Sequence, residues 1–152
     1  MVILSDKIIQ HITALAESFF KLTGTPLVLG DLKREELAKA IYEAPFVVVS
    51  HGTESDPVFN FANQKAQELW EMTWEEFTIL PSRLSAEPMA QSDRERLLAR
   101  AQEKGYVDDY NGIRISKSGK RFHIHNTILW NITDSEGHYR GQAAMFKEWK
   151  FV

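Results

Sequence analysis

The stretch from Pro57 to Leu84, PVFNFANQKAQELWEMTWEEFTILPSRL, constrains this chain more than any other. Val58 to Phe61 reads as a short strand. Asn63 then stands as the N-cap of a helical turn carrying Ala66, Leu69 and Trp70, because its side-chain oxygen can accept from a first-turn backbone N–H. Thr73 and Glu76 have the spacing of a capping box, with Phe77 and Leu80 behind them. Pro81 closes that second short helix. Such small helices bury apolar faces only against something larger, and the rest of the chain has to supply it.

From Tyr106 the hydrophobic period becomes two, which is the strand period. Tyr106–Ser116, Arg121–Thr133 and Tyr139–Trp149 read as three antiparallel strands joined through SKSGKR and DSEGH. Asn111-Gly112 is read as a bulge, since too few residues precede it for a hairpin partner. Upstream, PFVVVSHG is a β-branched strand, and the polar HGTESDP makes it a hairpin with Val58–Phe61. A longer helix runs from about Pro88, acceptable in its first turn, to Lys104, with Gly105 as C-terminal cap. Its apolar stripe (Met89, Leu97, Leu98, Ala101) is thin, and Asp93, Arg94, Glu95, Arg96 and Arg100 crowd the rest, so it lies on the surface.

The N-terminal segment is helical. Ser5 and Asp6 precede Ile8, Ile9, Ile12, Leu15, Ala16, Phe19 and Phe20 at helical spacing, and Gly24 and Pro26 stop the run. Its wide apolar face needs a partner, either this chain's own core or the same helix of a second copy. Asp31 is expected to cap a second helix over residues 32–43, with Leu37, Ala38, Ile41 and Tyr42 inward and Pro45 ending it.

Composition removes several function classes. A net charge of −3, with basic residues scattered among acids, argues against nucleic-acid binding. Without cysteine there is no disulfide, thiolate nucleophile or Cys-ligated metal. No apolar run approaches the ~20 residues that cross a bilayer, and no secretory signal is seen, so the expected location is cytoplasmic. No GxSxG elbow or Gly-rich phosphate loop is present, so no enzymatic activity is expected.

The order of elements resembles a PAS domain: two strands, a cluster of short helices, a longer helix, three antiparallel strands. FNFANQKAQELWEMTWEEF is similar to the PAS sequence after the second strand, and SKSGKRFHIHNTILWNITDSEGHYRGQAAMF resembles the closing hairpins. LPSRLSAEP after that opening resembles the MEKHLA domain, a PAS-like module, in its stand-alone bacterial form. The resemblance covers roughly residues 45–150. It implies an α+β fold, with a five-stranded antiparallel sheet and short helices on one face enclosing a small pocket. Residues 1–44 would be an N-terminal helical cap and residues 45–152 the PAS-like domain. The function implied is a sensory, ligand-binding or signalling module without catalysis; the alternative is a protein-interaction module with a filled core.

Within that frame the candidate pocket contacts are Asn63, Trp70, His123, His125 and Thr127. His123, His125, Thr127, Leu129 and Asn131 alternate along one face of the long strand; Phe122, Ile124, Asn126, Ile128, Trp130 and Ile132 form the other. Patterning alone buries the second face. The PAS resemblance instead turns the first towards the pocket and leaves the second under the N-terminal helix. No metal is expected at His123 and His125, because the sequence nominates no third ligand. His51 and His138 read as loop residues. Arg83 is assigned a structural rather than an anion-binding role. Asp108 and Asp109 point to opposite faces and cannot pair as acid and base.

The cofactor stays unassigned. Haem is disfavoured because the long helix lacks the axial histidine of haem-binding PAS domains, and a covalent flavin because there is no cysteine; a non-covalent flavin stays open. The expected partners are a small molecule, and a second copy or another protein reached through the N-terminal helix or the outer sheet face.

Overall fold

The computed structural model describes residues 4–86 and 91–152. Its elements are, in order, α1 (Asp6–Thr23), α2 (Arg34–Tyr42), β1 (Val47–His51), β2 (Phe59–Ala62), α3 (Gln64–Trp70) and α4 (Trp74–Phe77). After a 3-10 turn at Ser82–Ser85 come α5 (Gln91–Lys104), β3 (Tyr106–Ile115), β4 (Arg121–Thr133), β5 (Tyr139–Phe146) and β6 (Glu148–Phe151). The expected Pro88 start and Met89 of the long helix lie outside the described residues, as do the side chains of Arg94, Glu95 and Leu98.

All strands join one antiparallel sheet in the order β2-β1-β5-β4-β3, with β6 also on β4. The expected last strand is interrupted at Lys147, yet β6 keeps the register of β5: Met145 lies opposite Ile128 and Glu148 opposite His125. This is the five-stranded antiparallel sheet of the α+β expectation. Gly141, on β5, has a φ of 127°, and a Cβ there would sit 2.0 Å from the His51 carbonyl oxygen. Only glycine lets β5 pass the end of β1 so closely.

The caps form where the chemistry predicts. The Ser5 hydroxyl accepts from the Ile8 N–H, and Gly24 closes α1 in the left-handed region with a φ of 76°. Asn63 caps α3, and Thr73 with Glu76 makes the reciprocal capping box of α4. Asp31 does not cap α2: the helix starts two residues later, behind Lys33, and has no side-chain cap. Glu35 and Glu36 occupy its first turn instead, where carboxylates suit the exposed N–H groups.

Each face of the sheet carries one apolar cluster. On the outer face Ile9, Ile12, Leu15 and Phe19 of α1, with Ala38 and Ile41 of α2, pack on Val48, Trp130, Ile132, Ala143 and Met145. Each of these large side chains stabilises the fold by about 2 kcal/mol on leaving water. The Trp130 indole N–H donates to the Leu15 carbonyl at 3.0 Å, and its ring meets Phe19 edge-on at 4.8 Å. Thus the apolar face of α1 is used within its own chain. On the inner face Val47, Val49 and Phe146 pack with Phe59, Leu69, Trp70 and Phe77 from β2, α3 and α4, and with Phe122 and Ile124 of β4.

Candidate ligand-binding site

β4 belongs to both clusters, and the way it does so builds the site. Phe122 and Ile124 face the short helices, whereas Ile128, Trp130 and Ile132 face α1. A regular strand cannot place even-numbered residues on both sides. The change of phase falls at Asn126, whose φ is 50°, and β3 shows register breaks at the same level, around Tyr110. The Asn126 N–H donates to the Asn111 side chain and its amide donates to Glu148, which hold the distortion from both neighbouring strands. Asn111-Gly112 is therefore a bulge and not a turn.

The phase change divides the three of the five sequence-predicted contacts that lie on β4. Before Asn126 the histidines point away from Trp70; their rings lie 4.1 Å apart on the outer side, opposite Lys150 and Glu148. After it, Thr127, Leu129 and Asn131 point inward. Each of the two alternative patterns thus describes half of the strand. Among the described residues, no group of three His, Asp or Glu side chains is placed to hold a metal ion.

Asn63 is fully committed within the fold. Its carbonyl oxygen accepts from the Val48 and Ala66 N–H groups at 3.1 and 3.2 Å. Its amide nitrogen donates to the Ile41 and Phe46 carbonyls at 3.1 and 2.8 Å. An amide side chain offers two donors and two acceptor lone pairs, so nothing remains for a ligand. Trp70 does line the interior. It packs edge-on against Phe122, Phe77 and Phe146 at 5.1, 5.6 and 6.0 Å and donates to the Ser85 carbonyl.

Thr127 differs from both. It is wholly buried, and its hydroxyl has no hydrogen-bond partner. A buried hydroxyl left unpaired costs about 1–3 kcal/mol. Among the described residues it is the only buried side-chain polar atom in that condition. It stands opposite Tyr110 of β3. One step along the same face come Leu129, Ala144, Val49 and Val107, and one step further Asn131, Gln142 and His51. α5 covers β3 and touches β4 here, with Ala101 buried.

The Leu129 row was legible in the strand alternation. Ala144 and Gln142 were not, because only pairing across strands brings them beside Leu129 and Asn131. His51 closes β1 rather than sitting free in a turn, its Nδ1 2.9 Å from the Gly52 carbonyl oxygen.

The other polar side chains singled out in the sequence meet partners within the chain. Arg83 pairs with Asp56 at 3.2 Å on the surface, and Arg100 pairs with Asp109. His138 lies 3.5 Å from both Asp134 and Glu136. His11 of α1 meets the buried Ser50 hydroxyl at 2.9 Å, and burial pushes its pKa below the ordinary 6.5. A groove of about 430 Å³ lined by Gly119, Lys120, Arg121, Phe151 and Val152 opens at the far end of β4 from this site. None of its polar side chains is buried.

Comparison with known proteins agrees with this architecture. A PAS domain from Colwellia psychrerythraea superposes with a TM-score of 0.59 at 14% identity, over 76% of this chain and 92% of that one. The light-state dimer of the fungal blue-light photoreceptor Vivid gives 0.60 at 14% identity over 97% of both chains. An RNA-binding light-oxygen-voltage receptor gives 0.65 at 18% identity, covering 82% of this chain but 36% of its own. At such identities the likeness is one of fold. No curated protein matches significantly. The MEKHLA domain matches residues 9–151, nearly the full length and including most of α1, so the chain belongs to the MEKHLA domain family, built on the PAS fold.

Proposed function

We propose that this protein is a non-catalytic sensory module that binds a small molecule between the inner sheet face and α3–α5, with Thr127 as its polar contact. The unpaired hydroxyl of Thr127 carries this reading. Tyr110 across the strand pair gives it no hydrogen bond, so the group that would repay its desolvation is a bound one. Trp70 and Leu129 form apolar walls of the same site. Asn63 supports it from behind, by tying α2, β1 and α3 together.

Thr127→Val tests the reading, because the change is nearly isosteric and removes only the hydroxyl. The expected result is that wild-type protein gains heat stability from a bound small molecule and the variant loses that gain. If the interior is filled, the variant instead melts higher with no ligand in play, by about 1 kcal/mol of relieved desolvation.

A second reading, in which α1 or the outer sheet face joins two copies, has less support. The apolar face of α1 is buried on Trp130 and Ile132, and a dimer through it would first have to undock that helix.

A further inference from the structure

Resting on the ligand-site reading, we propose that the ligand is an organic acid bound as its monoanion, with its carboxylate on Arg114 and a second polar group at Thr127. Three observations carry this.

The first is the face that Arg114 occupies. β3 sets Tyr110, Gly112 and Arg114 opposite Thr127, Ile124 and Phe122 of β4. Directly opposed residues of an antiparallel pair share a face, and Phe122 and Ile124 belong to the inner cluster around Trp70. Gly112 keeps this row open, since a Cβ there would lie 2.6 Å from the Tyr110 hydroxyl. Tyr110 therefore lies along the strand towards Arg114, whose guanidinium carbon stands 5.7 Å from the centre of the ring. On the other side, Ala86 pairs with Arg114, and the carbonyl of the preceding Ser85 holds the Trp70 indole.

The second is that this cation has no acid. Arg114 is partly buried. Among the described residues no carboxylate pairs with it, and the ring of Tyr110 is what faces its guanidinium. A ring face attracts a cation but leaves the five guanidinium N–H groups without in-plane acceptors. Burial pushes the Arg114 pKa below its ordinary value, with Tyr110 acting against it. The carboxylates at this end of the sheet are engaged elsewhere: Asp109 with Arg100, Glu71 with the Ser116 and Ser118 hydroxyls, and Glu76 with Lys117. A bound carboxylate would offset the desolvation of Arg114 through two parallel N–H···O bonds.

The third is the balance of charge and polarity beside it. The rows Tyr110–Gly112–Arg114 and Phe122–Ile124–Thr127–Leu129 hold one cation and no acid. One guanidinium neutralises a carboxylate, whereas a phosphate monoester carries nearly two charges at neutral pH. At the other end of these rows the Thr127 hydroxyl is buried and unpaired. A hydroxy acid satisfies both ends, and Phe122, Ile124 and Leu129 meet the apolar body between them.

Calorimetric melting and titration of the full chain test this with L-lactate, 4-hydroxybenzoate and 6-hydroxy-2-naphthoate, each beside its neutral amide at the same millimolar concentration and ionic strength. At least one of the acids is expected to raise Tm, with its amide and 4-hydroxyphenyl phosphate leaving it unchanged. Arg114→Gln should weaken binding of that acid about tenfold or more, and Arg114→Lys, which keeps the charge without the fork, should recover part of it. Thr127→Val should weaken it about fivefold, with native far-ultraviolet spectra throughout. If an amide stabilises the protein as well as its acid does, and Thr127→Val weakens both, the anionic class is overturned and the ligand site stands. If the phosphate stabilises it as strongly, the restriction to one charge is overturned. Acid binding that survives Arg114→Gln would place the anion elsewhere and overturn the assignment. If no acid binds, the proposal falls, and a higher-melting Thr127→Val would then remove the site itself.

Discussion

Asn63 and Thr127 are both buried polar residues of the interior, and their hydrogen bonds separate their roles. Asn63 makes four bonds to backbone groups of α2, the segment before β1, β1 itself and α3. Asn63→Ala leaves those partners buried and unpaired, and we expect a loss of about 3–5 kcal/mol, read as a lower urea midpoint with unchanged slope. Asn63→Asp restores the acceptor bonds but not the donors, so it should recover only part. A variant within 1 kcal/mol of wild type would mean that water replaces the network. Thr127→Val differs, since it removes no bond within the protein and leaves the partners of Asn63 paired. The capping role of Asn63 was legible from its place before a helical turn. Its bonds to Ile41 and Phe46 were not, because those carbonyls reach it only once α2 packs against β1.

At the level of elements, the hairpin between β3 and β4 is fastened to the end of α3. Glu71, in the left-handed region with a φ of 59°, caps α3. Its carboxylate accepts from the Ser116 and Ser118 hydroxyls and from the Ser118 N–H. Lys117 adds an ion pair with Glu76, and its N–H donates to the Trp70 carbonyl. The serine hydroxyls hold the Glu71 carboxyl at a pKa of about 2, below its ordinary 4.5. A lowered carboxylate pKa stabilises the fold above the ordinary value, and that contribution is lost as pH falls from 4.5 towards 2. Glu71→Gln should therefore be less stable than wild type at pH 7, with the two denaturation midpoints drawing together as pH falls from 4.5 and meeting at about 2. Parallel curves across that range would show that the fastening does not depend on the charge. Asp134, also held at about 2 by the His138 and Glu136 N–H groups and Arg140, titrates in the same window in both proteins and cancels from the difference. β4 shows the limit of element-level reading. Both halves of its alternation are in the sequence, but the phase change at Asn126 depends on Asn111 and Glu148, which lie on other strands.

For the molecule as a whole, the question is whether α1 is an appendage or part of the core. Trp130 and Ile132 are fully buried beneath it. The Ser18 hydroxyl donates to the Thr133 carbonyl and accepts from its N–H, closing the far end. Removing residues 1–24 would expose a contiguous apolar sheet face, and faces of that kind associate. The expected outcome is a chain that aggregates or loses its cooperative melting transition. A soluble, folded monomer would show instead that α1 is dispensable and free to serve as a contact between copies. The wide apolar stripe of α1 was plain from its periodicity. What covered that stripe was not, since a stripe matches its own sheet and a second copy's helix equally well.

The sequence by itself determined the local structure: the Ser5, Asn63 and Thr73 caps, the two-residue period from Tyr106, the strands at Val47 and Phe59, and the family pattern. These follow from interactions spanning a few residues, which one chain read in order contains. Only the tertiary structure decided which side of β4 each residue faces, that His123 and His125 leave the interior while Thr127 remains, and that Ala144 rather than a larger side chain lies beside Leu129. Those outcomes depend on pairings between residues far apart in the chain, and on one left-handed asparagine that no periodicity marks.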